Sequence, residues 1–531
     1  MRARIQDGFR FLIGISLVWY GRFRRRRIHR SIKNYRENQK GLIRKYRLLE
    51  TDPVLPHGPD LQSGIDAFAS QSKEAVRFAE TSGSTGVPKR IAYTGSRLQG
   101  VVGTYIDAFA RAYVAIPVKR KSLYVMSSLK ADNSLTALMM GEKAALPPYF
   151  SGLQAPYRLQ SDPELQALAA TYGSHALRTW VLAISNPGVL YCTNPSTLST
   201  YLDALDSDWV GSTSLVRDWV KEPRAFSNRV RRIARRLSSV GDTARLEEIA
   251  NAPANLGLLA IAPAVSLFSC WDGGYVRPFL ERIRKHLPQD RVRHLPMYSM
   301  STEVIETLPV FEADTPAFLP IASGVRYEFL PVDAEDDASL LKEAWSLKPG
   351  DEVLMVVSDA YGLRRYQTED VFRCDDLVAG LPNLRFLRRR GLAWSFTGEK
   401  ITGDQVELVF AQMKESTPFI DTLEWMAIVP SQPKGAPLPG YVLLLVGSPL
   451  AQDLAAIGEQ FDACLSVLNS EFSDKCESQR LAPTRVHCLS MTEYVGRVGG
   501  ARHQDSWEAQ FKFLPLVCKL WEDLSAPVEE V

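Results

Sequence analysis

The sequence predicts an α/β protein: a large N-terminal α/β body followed by a small α+β C-terminal domain. Three observations carry that expectation. The chain has 531 residues, 45% hydrophobic and 23% charged, an ordinary globular composition in a chain too long for a single core. Beyond residue 65, short apolar runs alternate with helical patterns, as in a largely buried sheet covered by helices. Near Arg388–Arg390 the texture changes to a strand–turn–strand pattern flanked by helices, which reads as a separate α+β unit. The implied divisions are a basic amphipathic arm over 1–50, a large domain over 51–388 and a small mobile domain over 389–531.

The arm comes first. Residues 1–50 hold 15 Lys and Arg against Asp7, Glu37 and Glu50, so the rest of the chain is net acidic although the whole carries +3. An acidic body argues against a broad nucleic-acid surface. Residues 11–20 (FLIGISLVWY) form an apolar run of ten followed by Arg22 and Arg24–Arg27. Ten residues are half of what a spanning helix needs, and no small-residue cleavage site follows. Two readings fit: an amphipathic helix packed on the body with solvated arginines, or a peripheral contact of residues 10–30 with an anionic membrane surface. The packed helix is the simpler one.

Pro53, Pro56, Gly58, Pro59 and Gly64 mark a loop over 50–65. Strands are expected at 76–79, 122–126, 182–184, 258–261 and 353–357, and helices at 198–205 and 276–286. In the small domain the pattern gives a helix at 404–414, a strand at 422–429, a turn at 430–440, a strand at 441–446 and a helix at 450–470. Seven cysteines occur with no CxxC pair, and no two His stand at ligand spacing. A disulfide scaffold and a structural zinc site are therefore not expected, and a reducing compartment fits best.

The most informative stretch is Thr81-Ser82-Gly83-Ser84-Thr85-Gly86-Val87-Pro88-Lys89. Two glycines let the backbone turn tightly and point N–H groups inward, and hydroxyls with one Lys complete a cradle for phosphate oxygens. The spacing is not that of a Walker loop. A Ser/Gly-rich surface turn is the bland alternative, and it accounts poorly for so many hydroxyls closing on Pro-Lys. Ser82 and Ser84 have no G-x-S-x-G elbow around them.

The loop resembles the nucleotide loop of the adenylate-forming superfamily, which includes acyl-CoA synthetases and luciferases. Further blocks narrow the resemblance: Asn194-Pro-Ser-Thr-Leu198, Cys270-Trp-Asp-Gly-Gly274, Tyr298-Ser-Met-Ser-Thr-Glu303, Tyr327-Glu-Phe-Leu-Pro331 and Gly362-Leu-Arg-Arg-Tyr-Gln-Thr-Glu-Asp-Val371. In this order they resemble the Gretchen Hagen family, the auxin-responsive-promoter acyl-acid amido synthetases, in blocks from about residue 35 to 515.

The resemblance implies a fold of the adenylate-forming type and an AMP-forming ligase using ATP and Mg²⁺. A carboxylic acid would be adenylated and its acyl group passed to an amine, such as an amino acid. Ser82, Gly83, Ser84, Thr85, Gly86 and Lys89 would hold phosphates, Thr302 would lie beside the α-phosphate and Glu303 would bind the metal. Asp370 would accept the ribose hydroxyls, with Arg388 reaching ribose or phosphate, and Lys512 would enter during adenylation. The family's adenine-stacking Tyr falls at Ser299 here, with Tyr298 one position early. Its Gly before the ribose-binding Asp is Glu369, and its acid after Lys400 is Gly403. The rival readings are an acyl-thioester ligase using CoA or a carrier protein, and a degenerate, non-catalytic membrane-associated relative. A cytoplasmic location, with contact at the inner membrane face, accompanies the enzymatic reading.

Overall fold

The computed structural model describes residues 2–56, 58–80, 89–116, 118, 122–126, 135, 138–139, 162–238, 242–273, 276–296, 300–311, 316–332, 334, 336–390, 393–394, 396, 399, 401–434, 436, 438–447, 453–477, 481–499, 511 and 513–525. The chain divides into two compact units. Most of the chain up to Phe386 forms the first, and Leu387–Val531 with Glu369–Val371 forms the second.

The first unit opens with two helices, α1 (Arg2–Lys33) and α2 (Tyr35–Tyr46), and a third, α3 (Pro59–Gln71). Gly58 caps α3 and Pro59 sits at its first position, where a missing N–H costs nothing. The expected 50–65 loop is therefore cut short by a helix that begins inside it. Next come an antiparallel pair, β1 (Val76–Glu80) and β2 (Arg90–Thr94), and α4 (Gly95–Ala115). The Thr94 hydroxyl caps α4 by accepting from the Arg97 N–H.

A four-stranded parallel sheet follows: β3 (Leu123–Val125), β4 (Val189–Tyr191), β5 (Leu267–Cys270) and β6 (Arg293–Pro296). Its crossovers carry α5 (Pro163–Tyr172), α6 (Ser174–Ser185), α7 (Pro195–Ser207) and α8 (Arg277–His286). The two-residue period of the strands sorts their side chains. Tyr124, Leu190 and Phe268 face the helical layer of Trp180, Leu198 and Ile283, while Leu123, Val125, Val189 and Leu267 face α4.

Two expected strands are helices. Residues 182–184 lie inside α6, and Leu258–Ile261 is a single helical turn. Both runs are apolar because ten consecutive α6 residues and the ends of the turn are buried. A fully buried helix and a buried strand share that signature. The other expected elements of this unit form, with ends shifted by a few residues.

A second sheet contains β9 (Arg326–Pro331), β10 (Glu352–Ser358), β11 (Tyr366–Val378) and β12 (Leu381–Arg389), in the order β12-β11-β10-β9. A short antiparallel pair, β7 (Leu308–Val310) with β8 (Ala317–Leu319), precedes it. Ala379 and Gly380, at φ 51° and 78°, form the tight turn between β11 and β12, as a two-residue hairpin loop requires. Leu55 joins the edge of this sheet: its N–H donates to the Arg365 carbonyl and its carbonyl accepts from Gln367. From α2, Gln39 donates to the Val325 carbonyl and accepts from the Tyr327 N–H.

In the second unit, β15 (Trp425–Ser431) and β16 (Gly440–Val446) form an antiparallel hairpin, and β17 (Arg485–Leu489) adds parallel to β16. The short pair β13 (Ala393–Trp394) and β14 (Ile401–Thr402) precedes them. Helices α9 (Gly403–Ser416) and α10 (Leu454–Leu468) share a core with the sheet through Val406, Phe410, Ile428, Leu443 and Phe461. Strand β15 starts three residues later than the pattern suggested and runs into the expected turn. Every one of its residues is buried, so no alternation marked its ends. Gly403 begins α9 just inside a capping box made by Thr402 and Gln405.

Gly362 is the tightest backbone contact of the first unit. It adopts φ +98°, and a Cβ there would stand 2.8 Å from the Gly64 carbonyl oxygen and from the Ile65 Cα of α3. Gly362→Ala should lower unfolding stability by about 2–4 kcal/mol, read from the urea midpoint, because a backbone neighbour cannot turn aside.

Candidate active site

The geometry begins at β2. Its pairing with β1 runs from Val76↔Thr94 to Glu80↔Arg90, so residues 81–89 connect the two strands of a hairpin. Ser82, Gly83, Ser84, Thr85 and Gly86 lie outside the described residues. Lys89, at the loop's end, is largely buried. Its Nζ donates to the Tyr366 hydroxyl at 3.0 Å and lies 3.6 Å from Glu303 Oε1. The Tyr366 hydroxyl in turn donates to Glu303 Oε1 at 3.0 Å. The Glu303 side chain is 7% exposed. A buried carboxylate needs a cation and hydrogen bonds to offset its lost hydration, and Lys89 with Tyr366 supplies both.

The backbone beneath Glu303 is pinned at three points. The Tyr93 hydroxyl donates to the Thr302 carbonyl at 2.7 Å, Arg97 Nη2 to the Glu303 carbonyl at 2.6 Å, and the Tyr327 hydroxyl to the Ile305 carbonyl at 2.7 Å. These donors come from β2, the first turn of α4 and β9. Arg97 also donates to the Ala92 carbonyl and pairs with Asp359 at 3.1 Å, its guanidinium between the rings of Tyr93 and Tyr361. Asp359 accepts from the Tyr361 and Leu363 N–H groups. Burial pushes the Asp359 carboxyl up, and Arg97 and those two N–H groups pull it back. The same carboxylate thus anchors Arg97 and folds the turn that carries Gly362 toward Tyr366.

Thr302 and Glu303, both singled out by sequence, therefore lie in this cluster with Lys89. Thr302 is half-buried. Asp370 lies on β11, half-buried, and Arg388 lies on β12 with its side chain outside the described residues. Lys512, Lys400, Tyr298 and Ser299 are also outside them. Sequence reasoning missed Tyr366, Arg97, Asp359 and Tyr93 as members. Tyr366 sat in a quoted block without an assigned role. Arg97 and Asp359 carried no signal, since they are 262 positions apart. His294, which had no partner in the sequence, lies against Cys270 and stacks on Phe268, and burial pushes its pKa down to about 4.

Glu369 stands out beside Asp370. It sits within β11 at φ +64°, a left-handed conformation that costs a side-chain-bearing residue free energy, and its carbonyl accepts from the Arg390 N–H.

The cluster and the two units define an α/β protein with a buried ammonium–phenol–carboxylate relay at the end of a loop rich in glycine and hydroxyl groups. Two family models match the chain: the GH3 family N-terminal domain over residues 70–292 and the GH3 family central domain over residues 318–389. Together they span more than half of it, and the chain belongs to the GH3 family. It is 35% identical over 86 residues to indole-3-acetic acid-amido synthetase GH3.8 of Oryza sativa subsp. indica, a match covering 15% of this chain and 14% of that one. Across three rice relatives of this kind the match spans 14% to 26% of their length. The fold is similar to that of the GH3.15 acyl acid amido synthetase, at TM-score 0.67 and 14% identity over 89% of this chain and 85% of that one. For AtGH3.15 acyl acid amido synthetase in complex with 2,4-DB, the TM-score is 0.69 at 13% identity over 98% and 94%.

Two stability measurements test this description. Arg97→Met leaves Asp359 buried without its cation and should cost about 3–5 kcal/mol, while pairing it with Asp359→Leu should recover much of that loss. Glu369→Gly should raise stability by about 0.5–1 kcal/mol, because glycine adopts this backbone without strain.

Proposed function

We propose that this chain is an AMP-forming ligase that adenylates a carboxylic acid with ATP and passes the acyl group to an amine, an amino acid by chemical class. The observation that carries the reading is the Lys89–Tyr366–Glu303 relay, and GH3 membership supports it.

The donor set suits the cofactors. Glu303 offers a buried carboxylate, the hard oxygen ligand that Mg²⁺ takes, and that ion when bound would neutralise polyphosphate charge. Lys89, held ready at Glu303, turns its ammonium to a phosphate oxygen. Tyr366 keeps a hydrogen bond on Glu303 through that exchange, so the carboxylate stays oriented. Residues 82–86 add N–H and hydroxyl donors, and Thr302 places its hydroxyl beside the α-phosphate. Asp370 accepts from the ribose diol, and Arg388 adds positive charge at ribose or phosphate.

In the first half-reaction a carboxylate oxygen of the acid bonds to the α-phosphorus and pyrophosphate leaves, with Lys512 offsetting charge on the α-phosphate. In the second, the amine nitrogen bonds to the acyl carbon, the acyl–oxygen bond to AMP breaks and the nitrogen loses a proton. Donors fixed in advance stabilise the developing charge without reorganising in the transition state.

Acid-dependent exchange of pyrophosphate into ATP should be present in the wild type. Lys89→Ala and Asp370→Ala should each lower it by about 100-fold or more, and Tyr366→Phe by about 10-fold, with the fold intact by circular dichroism. Lys512→Ala should slow adenylation strongly yet leave aminolysis of a supplied acyl-adenylate nearly unchanged. Consumption of that adenylate by CoA rather than by amino acids would move the assignment to a thioester ligase. Near-normal exchange in both alanine variants at Lys89 and Asp370 would remove the assigned roles.

A further inference from the structure

We propose that the outward face of α1 docks on an anionic lipid bilayer, lying along the surface. Between residues 18 and 33 this helix has two unlike faces. The inward one carries Gly21, Arg24, Ile28 and Ile32 at the spacing of one helical stripe. Gly21 lies against the Ala110 carbonyl of α4 with no room for a Cβ, and Arg24 pairs with Asp107, which also accepts from the Tyr20 hydroxyl. Ile28 and Ile32 pack into the core of the first unit. That face is spent on folding.

The opposite face is not. Trp19 is 66% exposed and Phe23, four residues on, is 63% exposed. Arg26 and Arg30 continue the same row at seven and eleven residues from Trp19, flanked by Arg22, Arg27 and Lys33, all exposed. The Arg22 guanidinium sits 5.5 Å from the centroid of the Trp19 ring. No Asp or Glu follows Asp7 in this helix.

Large aromatics set among arginines are the composition of a helix that lies in a lipid interface. The rings enter the boundary between headgroups and acyl chains, and the guanidinium groups meet anionic headgroups. Among the described residues no helix is long and apolar enough to cross a membrane, so α1 lies on the surface. Two other occupants fit less well. Nucleic acid would use the arginines and give the adjacent Trp19 and Phe23 no apolar partner. A second copy would bring two strongly basic faces together. The docking stands independently of the ligase reading, because it uses none of the residues assigned to catalysis.

The experiment is flotation of the full chain with vesicles of phosphatidylcholine alone and of phosphatidylcholine with phosphatidylserine at roughly 3:1. Binding should appear only on the anionic vesicles and weaken as salt rises. Trp19→Ala with Phe23→Ala should weaken it about tenfold. Arg22→Gln, Arg26→Gln and Arg30→Gln together should weaken it about 100-fold, and the corresponding three Lys substitutions should largely restore it. These side chains are exposed, so every variant should keep the wild-type melting temperature. The proposal is overturned by absence of binding to anionic vesicles, including the case where a short DNA duplex binds instead. It is equally overturned if binding is indifferent to the aromatic pair, or if these variants only dissociate a dimer.

Discussion

The first unit is organised around one buried carboxylate. Glu303 is removed from water on a short turn, and an isolated carboxylate in such a place would cost several kcal/mol. Lys89 and Tyr366 offset that cost by charge and by hydrogen bonding. The position of the loop that ends at Lys89, the pairing of β1 with β2, and the register of β11 at Tyr366 are thereby tied to the same oxygen atom. A change in any of them leaves a charge unpaired, which couples three remote parts of the chain.

The backbone shows the same economy of placement. Thr302, Glu303 and Ile305 each present a carbonyl to a side-chain donor from a different element. Loops ordinarily satisfy such groups with water. Here Tyr93, Arg97 and Tyr327 replace that water, so the turn is held by rigid elements and not by its own sequence. Arg97 holds its position because Asp359 and two aromatic rings enclose its guanidinium. A preorganised turn of this kind costs little to reorient when a ligand's charge arrives.

Not every local choice agrees with the fold. Arg365 and Glu369 adopt left-handed backbone just before and within β11, at φ 42° and 64°. Each carries a cost of order 1 kcal/mol that the surrounding sheet must outweigh. Arg365 recovers part of it by donating to the Glu50 and Asp52 carbonyls and pairing with Glu328. The plant members of the Gretchen Hagen family carry glycine at the position of Glu369. Strain of this sort gathers beside functional groups, and Asp370 is the next residue.

The sequence by itself determined the α/β class, the two-part organisation in outline, and the candidate chemistry at Lys89, Thr302 and Glu303. Those features are local: hydrophobic period, a Gly/hydroxyl loop ending in Pro-Lys, and an ordered set of short blocks. It could not separate the buried helix over 182–184 from a strand, because burial on all sides erases the period that distinguishes them. Nor could it assign Tyr366, Arg97 or Asp359, whose importance comes from partners tens to hundreds of residues away. It also left the two faces of α1 undecided, since a run of arginines looks the same whether solvated or docked. Only the tertiary structure decided these points, because pairing a buried charge and choosing which helix face is covered are set by neighbours in space.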